Sequence, residues 1–107
     1  MSFSLTVHTI IKNEDRWVWY ALKSVIDVAQ KILIYDTGSI DKTIDIIKSI
    51  DSPKIILESH PVSTREGLVK LRQEQLDHTR TPWFMLLDGD EIWPEKNLRI
   101  LISEMEK

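Results

Sequence analysis

Two spacings of apolar residues alternate along the chain. Leu5 to Ile11 is a short, apolar, β-branched run, the pattern of a buried strand. Asn13-Glu14-Asp15 then supplies helix-start chemistry. Val18, Ala21, Leu22, Val25 and Ile26 follow at helical spacing and predict one apolar face. Lys31 to Tyr35 predicts a second strand, cut off by the turn Asp36-Thr37-Gly38-Ser39. Ser39 or Asp41 is placed to cap a second helix with Ile44, Ile47 and Ile50 inside, and Asp51-Ser52-Pro53 ends it. Lys54 to Leu57 predicts a third strand. Thr64 to His78 predicts a helix with Leu68, Leu71 and Leu76 partly in phase and Gly67 in its first turn. After the breaker Thr81-Pro82, Trp83 to Leu87 predicts a fourth strand and Asp88 to Glu91 a loop. Pro94 suits the first turn of a last helix, whose face is Leu98, Leu101, Ile102 and Met105.

The predicted order, β-α-β-α-β-α-β-α, implies an α/β fold, Rossmann-like, with a mostly parallel sheet covered on both faces by alternating helices. Crossovers are expected to be right-handed. In such a sheet ligands bind outside the carboxyl ends of the strands, where strand order reverses. Lys12-Asn13, Asp36 to Asp41 and Asp88 to Glu91 all follow strand ends. A strand order of 3-2-1-4 makes these loops neighbours around one crevice.

At 107 residues the chain is sized for a single domain with one core. Its 14 basic and 17 acidic side chains are interspersed, for a net charge of −3. A nucleic-acid backbone binder carries a basic excess or stripe, so nucleic acid is not an expected partner. The absence of cysteine excludes disulfides, thiolate zinc sites and a cysteine nucleophile, and fits a reducing compartment. The start, Met1-Ser2-Phe3-Ser4, has neither the basic nor the apolar region of a signal peptide. The longest apolar runs are too short to span a bilayer. These features together predict a cytoplasmic protein with no transmembrane segment.

The sharpest chemical element is Asp88-Gly89-Asp90-Glu91. Two carboxylates one residue apart on a glycine-containing turn can share one hard cation, Mn²⁺ or Mg²⁺, which can bridge to a diphosphate. A solvated acidic turn capping the last helix explains the same residues without a ligand. The second element is Asp36-Thr37-Gly38-Ser39-Ile40-Asp41-Lys42-Thr43. Gly38 permits close backbone approach, the amides of the following helix can meet an anion, and Asp36 can accept hydrogen bonds from a base or ribose. Taken alone, a turn plus a helix cap accounts for this segment.

In order and spacing the chain resembles the family 2 glycosyltransferases with the GT-A fold, over nearly its whole length. Four segments carry the resemblance: Ile10-Ile11-Lys12-Asn13-Glu14, the Asp36 to Thr43 segment, Leu71-Arg72-Gln73-Glu74, and Phe84 to Glu91 with its Asp-x-Asp motif. The resemblance implies the donor half of such an enzyme, binding a nucleotide-diphospho-sugar, with a UDP-sugar favoured. Within it, Thr9 to Ile11 line the base pocket, Asn13 belongs to the first turn and Asp36 contacts the nucleoside. Asp88 lies at the ribose or diphosphate and shares the metal with Asp90, its principal protein ligand. Arg72 approaches the diphosphate or holds the two aspartates. The sequence departs from the pattern at Thr37, where many members carry a second acidic residue, and at Gln73, where asparagine is commoner. The family's acceptor-binding half and its carboxylate base lie beyond the metal motif, so the catalytic residues and the acceptor are unassigned. Little transfer by this chain alone is expected.

Two alternatives stand beside this reading. A strand ending in Asp-x-Asp also opens the haloacid-dehalogenase-type phosphatases, although there the motif comes early and most of the fold follows it. A non-catalytic α/β nucleotide- or metal-binding domain, receiver-like in one version, uses the same crevice. His8, His60 and His78 show no metal-ligand spacing and are read as structural. Trp17 and Trp19, facing different directions on one helix, are candidates for a partner surface. Self-association, or contact with a further C-terminal half, is expected where a short sheet leaves an unpaired edge.

Overall fold

The computed structural model describes residues 4–107. Met1 to Phe3, where the absence of a leader pattern was read, lie outside the described residues. The elements alternate as the spacing predicts: β1 (Leu5–Ile11), α1 (Val18–Val25), β2 (Lys31–Asp36), α2 (Thr43–Ile50), β3 (Ile55–Ser59), α3 (Arg65–Asp77), β4 (Trp83–Leu86) and α4 (Glu95–Met105). The strands form one parallel sheet in the order β3-β2-β1-β4. This order carries the three polar loops after β1, β2 and β4 to the same edge of the sheet.

Two unequal layers cover the sheet. On one face Leu5, Val7, Ile11, Ile32 and Ile34 pack with Val18, Ala21, Leu22 and Val25 of α1, Ile47 of α2 and Leu98 of α4. On the other face α3 lies alone, with Leu71 against Leu33 and Tyr35. Of the two central strands, β2 is apolar on both faces because each meets a helix, whereas β1 carries Leu5, Val7 and Ile11 on one face and Thr6 and His8 on the other.

Several local expectations shift. In α3 only Leu71 and Gln75 are buried, while Leu68 and Leu76 are exposed. The helix turns Gln75 inward because its amide has work there: Nε2 donates to the carbonyls of Thr9, at 2.9 Å, and Leu33, at 3.2 Å. Thr64 caps this helix, accepting from Gly67 N–H at 3.0 Å. In α2 the most buried residues are Thr43 and Ile47, and Ile44 is only half-buried. In α4 Leu98 is buried and Ile102 packs beside it, whereas Leu101 is exposed.

β4 departs most from the expected buried strand. It sits at the edge of the sheet, and Trp83, Phe84 and Leu86 are exposed at 42%, 47% and 53%. The register pairs Thr6 with Phe84 and His8 with Leu86, so both apolar side chains lie on the α3 face of the sheet. The His8 ring stacks on Phe84, with ring centroids 5.0 Å apart.

The Gln75 bridge ties α3 to both central strands, and its removal has a definite expected cost. Gln75→Leu keeps the volume and leaves two strand carbonyls without that donor, a loss of about 1–3 kcal/mol. Urea denaturation measures it; an unchanged midpoint would show that the bridge contributes nothing net.

Candidate functional site

The loops after β1 and β2 are fastened to each other before any ligand is considered. Asp36, only 2% exposed, folds its own turn: Oδ2 accepts from Gly38 N–H at 3.1 Å and from Ser39 N–H at 3.0 Å, and Oδ1 accepts from the Ser39 hydroxyl. Gly38 adopts φ +130, a backbone that side-chain-bearing residues avoid, and this lets the turn close. Ser39 Oγ then accepts from Asn13 N–H at 2.9 Å, and Asn13 Oδ1 accepts from Ile40 N–H at 2.8 Å. One step further on, Thr43 Oγ1 accepts from Glu14 N–H at 2.9 Å, and Asp41 Oδ2 accepts from Asp15 N–H at 3.3 Å. Asp41 Oδ1 takes the Thr43 N–H at 2.9 Å as well as the Thr43 hydroxyl. Burial opposes ionisation of Asp41, but the bonds from Thr43 and Asp15 outweigh it and hold the carboxyl below its ordinary range.

This clasp sets the positions of two of the expected site residues. Asp36 and Asn13 shape and join loops, and their carboxylate and amide oxygens already have protein partners. Thr9 is fully buried, and its neighbours Ile10 and Ile11, at the end of β1, wall the crevice. The helix-start residues Asn13 to Asp15 likewise serve the clasp, and α1 begins later, at Val18. Of the two expected caps of α2, Asp41 binds the helix's first N–H while Ser39 turns to Asn13.

A cleft of about 430 Å³ opens at the carboxyl end of the sheet, walled by Ile10, Ile11, Lys12, Thr37, Val62, Ser63, Leu68 and Arg72. Its apolar residues suit a flat ring, and Lys12 and Arg72 suit an anion beside it. One guanidinium nitrogen of Arg72, Nη1, is buried without a hydrogen-bond partner. A second cleft, of about 380 Å³, lies at the amino end of the strands beside Thr6, Lys31 and Arg80. It contains none of the predicted residues and lies opposite the edge where parallel sheets bind ligands.

Ile11 is shared between the cleft and the acidic loop. A Cβ built on Gly89 would lie 2.7 Å from Ile11 Cδ1 and 2.9 Å from Glu14 Cγ, so any larger residue there would have to displace these side chains. Gly89 is buried, while Asp88 and Asp90 on either side are exposed. The turn is closed by Glu91, whose N–H donates to Asp88 O at 2.9 Å and whose Oε1 accepts from Asp88 N–H at 3.2 Å. Among the described residues, no hydrogen bond or ion pair engages the side chain of Asp88 or Asp90. Two free carboxylates fit a hard divalent cation. No group of three acidic or histidine residues converges on one point among the described residues, so the remaining oxygens would come from phosphate or water.

Sequence reasoning missed Glu14 as a neighbour of this loop. Its carboxyl is pushed above its ordinary range, first by burial and then by the charges of Asp90, Asp41 and Asp88. The signal was present in the narrow loop around Gly89, but only the tertiary contact shows which side chain fills the space. It also missed Val62, Ser63 and Leu68 in the cleft, which polarity alone does not single out, and it placed Lys12 at the crevice without giving it a role of its own.

A profile of glycosyl transferase family 2 matches residues 6–107. The chain belongs to that family. It is 26% identical over 94 residues to the SPbeta prophage-derived glycosyltransferase SunS of Bacillus subtilis (strain 168), and equally to glycosyltransferase SunS of Bacillus phage SPbeta. The match covers 88% of this chain and 22% of either relative. Crystal structures of S. aureus TarS 1-349, alone and in complex with UDP, superpose with a TM-score of 0.73 at 18% identity, covering 97% of this chain and 32% of theirs. The GT-A-like architecture expected from the sequence is therefore the observed one, and the chain spans about a fifth of the length of the curated relatives it matches. Family membership decides against the haloacid-dehalogenase alternative. Among the described residues no helix is long and apolar enough to cross a membrane.

The buried His8, which feels the positive charge of Arg72, is expected to give the fold a pH dependence. Burial, then the Arg72 charge, lowers its pKa, so the folded chain favours the neutral ring. The associated stability is complete above about pH 6.5, where the unfolded ring is also neutral, and is lost as pH falls toward the lower folded value. The urea midpoint is expected to fall more steeply between about pH 6.5 and 5 in the parent than in His8→Gln. Equal slopes would contradict the assignment.

Proposed function

We propose that the chain binds the donor of a glycosyl transfer, a nucleotide-diphospho-sugar with a UDP-sugar favoured, through a divalent cation held at Asp90 and Asp88. The observation that carries this reading is the pair of unengaged carboxylates at the end of β4, on either side of a glycine that adjoins Ile11, a wall of the cleft that Lys12 and Arg72 also line. In this reading the base lies against Ile10, Ile11, Val62 and Leu68. Arg72 Nη1, buried without a partner, donates to the diphosphate, and Lys12 adds a second positive charge. Asp36 and Asn13 act by holding the loops that frame the site. When bound, Mn²⁺ or Mg²⁺ supplies charge neutralisation to the departing diphosphate. The acceptor hydroxyl and its base then come from outside the residues described above. The TarS complex with UDP supports the choice of nucleotide. The absence of cysteine supports a cytoplasmic setting.

Calorimetric titration with UDP, with and without Mn²⁺, tests the reading. Saturable binding that depends on Mn²⁺ is expected, weakened at least about tenfold in Asp90→Ala. Binding unaffected by Mn²⁺ and by this substitution would remove Asp90 from the metal site. Failure of UDP to bind at all would favour a non-catalytic α/β domain.

The bare edge of β4 supports the expected self-association. The strand Trp83-Phe84-Met85-Leu86 carries no charge, and three of its side chains are exposed. Sedimentation velocity at high protein concentration is expected to show association that Leu86→Lys reduces. A monomer at every concentration would refute it.

A further inference from the structure

We propose that Thr43 is a positioning residue for the Asp88-Gly89-Asp90 loop, an inference that rests on the reading of that loop as the cation site. Thr43 has no solvent exposure, and both functions of its hydroxyl are used. The oxygen accepts from Glu14 N–H at 2.9 Å, and the proton goes to Asp41 Oδ1. Its complete burial keeps it out of a ligand's reach. It acts through Glu14: with the Glu14 backbone pinned to α2, the Glu14 side chain is held against Gly89, 2.9 Å from where a Cβ would stand. Ile11, on the same segment, stands 2.7 Å from the same point. Gly89 thus closes against a wall whose position is set two loops away, and the carboxylates flanking it inherit that position. Asn13, bonded to Ser39 and Ile40, fastens the same segment one residue earlier. A loop that must present two carboxylates to one cation tolerates little displacement, and a support of this kind supplies the needed precision.

The test compares Thr43→Val, which keeps the shape and loses the hydroxyl, with Thr43→Ser, which restores it. In the ligand-free chain, the amide resonances of Gly89 and Asp90 are expected to shift or broaden in Thr43→Val and to return in Thr43→Ser. At a temperature where thermal melts show every variant fully folded, the Mn²⁺-dependent affinity for UDP is expected to fall about fivefold in Thr43→Val and to recover in Thr43→Ser. A purely structural Thr43 would lower the melting temperature while leaving both readouts in place. Ser39→Ala, which releases Asn13 from the same clasp, is expected to move both readouts in the same direction and serves if Thr43→Val does not fold. Unchanged Gly89 and Asp90 resonances, or unchanged affinity, in the folded variant would overturn the proposal. If the parent chain binds no UDP with Mn²⁺, the donor-binding reading fails, and the resonances alone decide whether Thr43 positions the loop.

Discussion

Val7, Ile32 and Ile34 have no solvent exposure, and the peptide groups beside them must be paired inside the sheet or not at all. Parallel pairing of β1 with β2 on one side and β4 on the other meets that demand for β1. Each parallel connection then requires a crossover helix, and the helices must cover the faces. The carboxyl ends of β1, β2 and β4 consequently lie side by side. A crevice at this edge follows from the topology, and the chemistry of the loops determines what it holds.

The loops divide into a brace and a site. The segment from Asp36 to Thr43 spends its side-chain oxygens on the backbone of its own turn and of the β1–α1 loop. The segment from Asp88 to Glu91 uses Glu91 to close its turn and leaves both aspartates open to solvent. A motif rich in acidic and hydroxyl residues can thus serve a ligand indirectly. Glu14 shows the electrostatic consequence: burial first, and then the charges of Asp90, Asp41 and Asp88, push its carboxyl above its ordinary range.

The two faces of the sheet are not equally finished. α1, α2 and α4 enclose one face, while α3 covers β1 and β2 on the other and leaves Phe84 and Leu86 of β4 bare. The buried polar cluster under α3, made of His8, Thr79 and Gln75, holds that single helix where a wider apolar layer is absent.

The sequence by itself determined the order of elements, the parallel α/β architecture and the loops that carry chemistry, because strand and helix periods, turn residues and paired acids are local signals. It pointed to Ile11 and Arg72, which line the crevice, and to Asp88 and Asp90, on either side of a glycine that adjoins Ile11. Tertiary structure decided the rest. Only the meeting of two loops shows that Asp36 and Asn13 are engaged with backbone, and that Glu14 presses on Gly89. Only the packing of α3 shows that Gln75, not Leu76, turns inward, since two strand carbonyls await a donor there. β4 reads as a buried strand by composition, yet it lies at an edge, because apolar content reports what a strand can bury and not whether a neighbour is present to cover it.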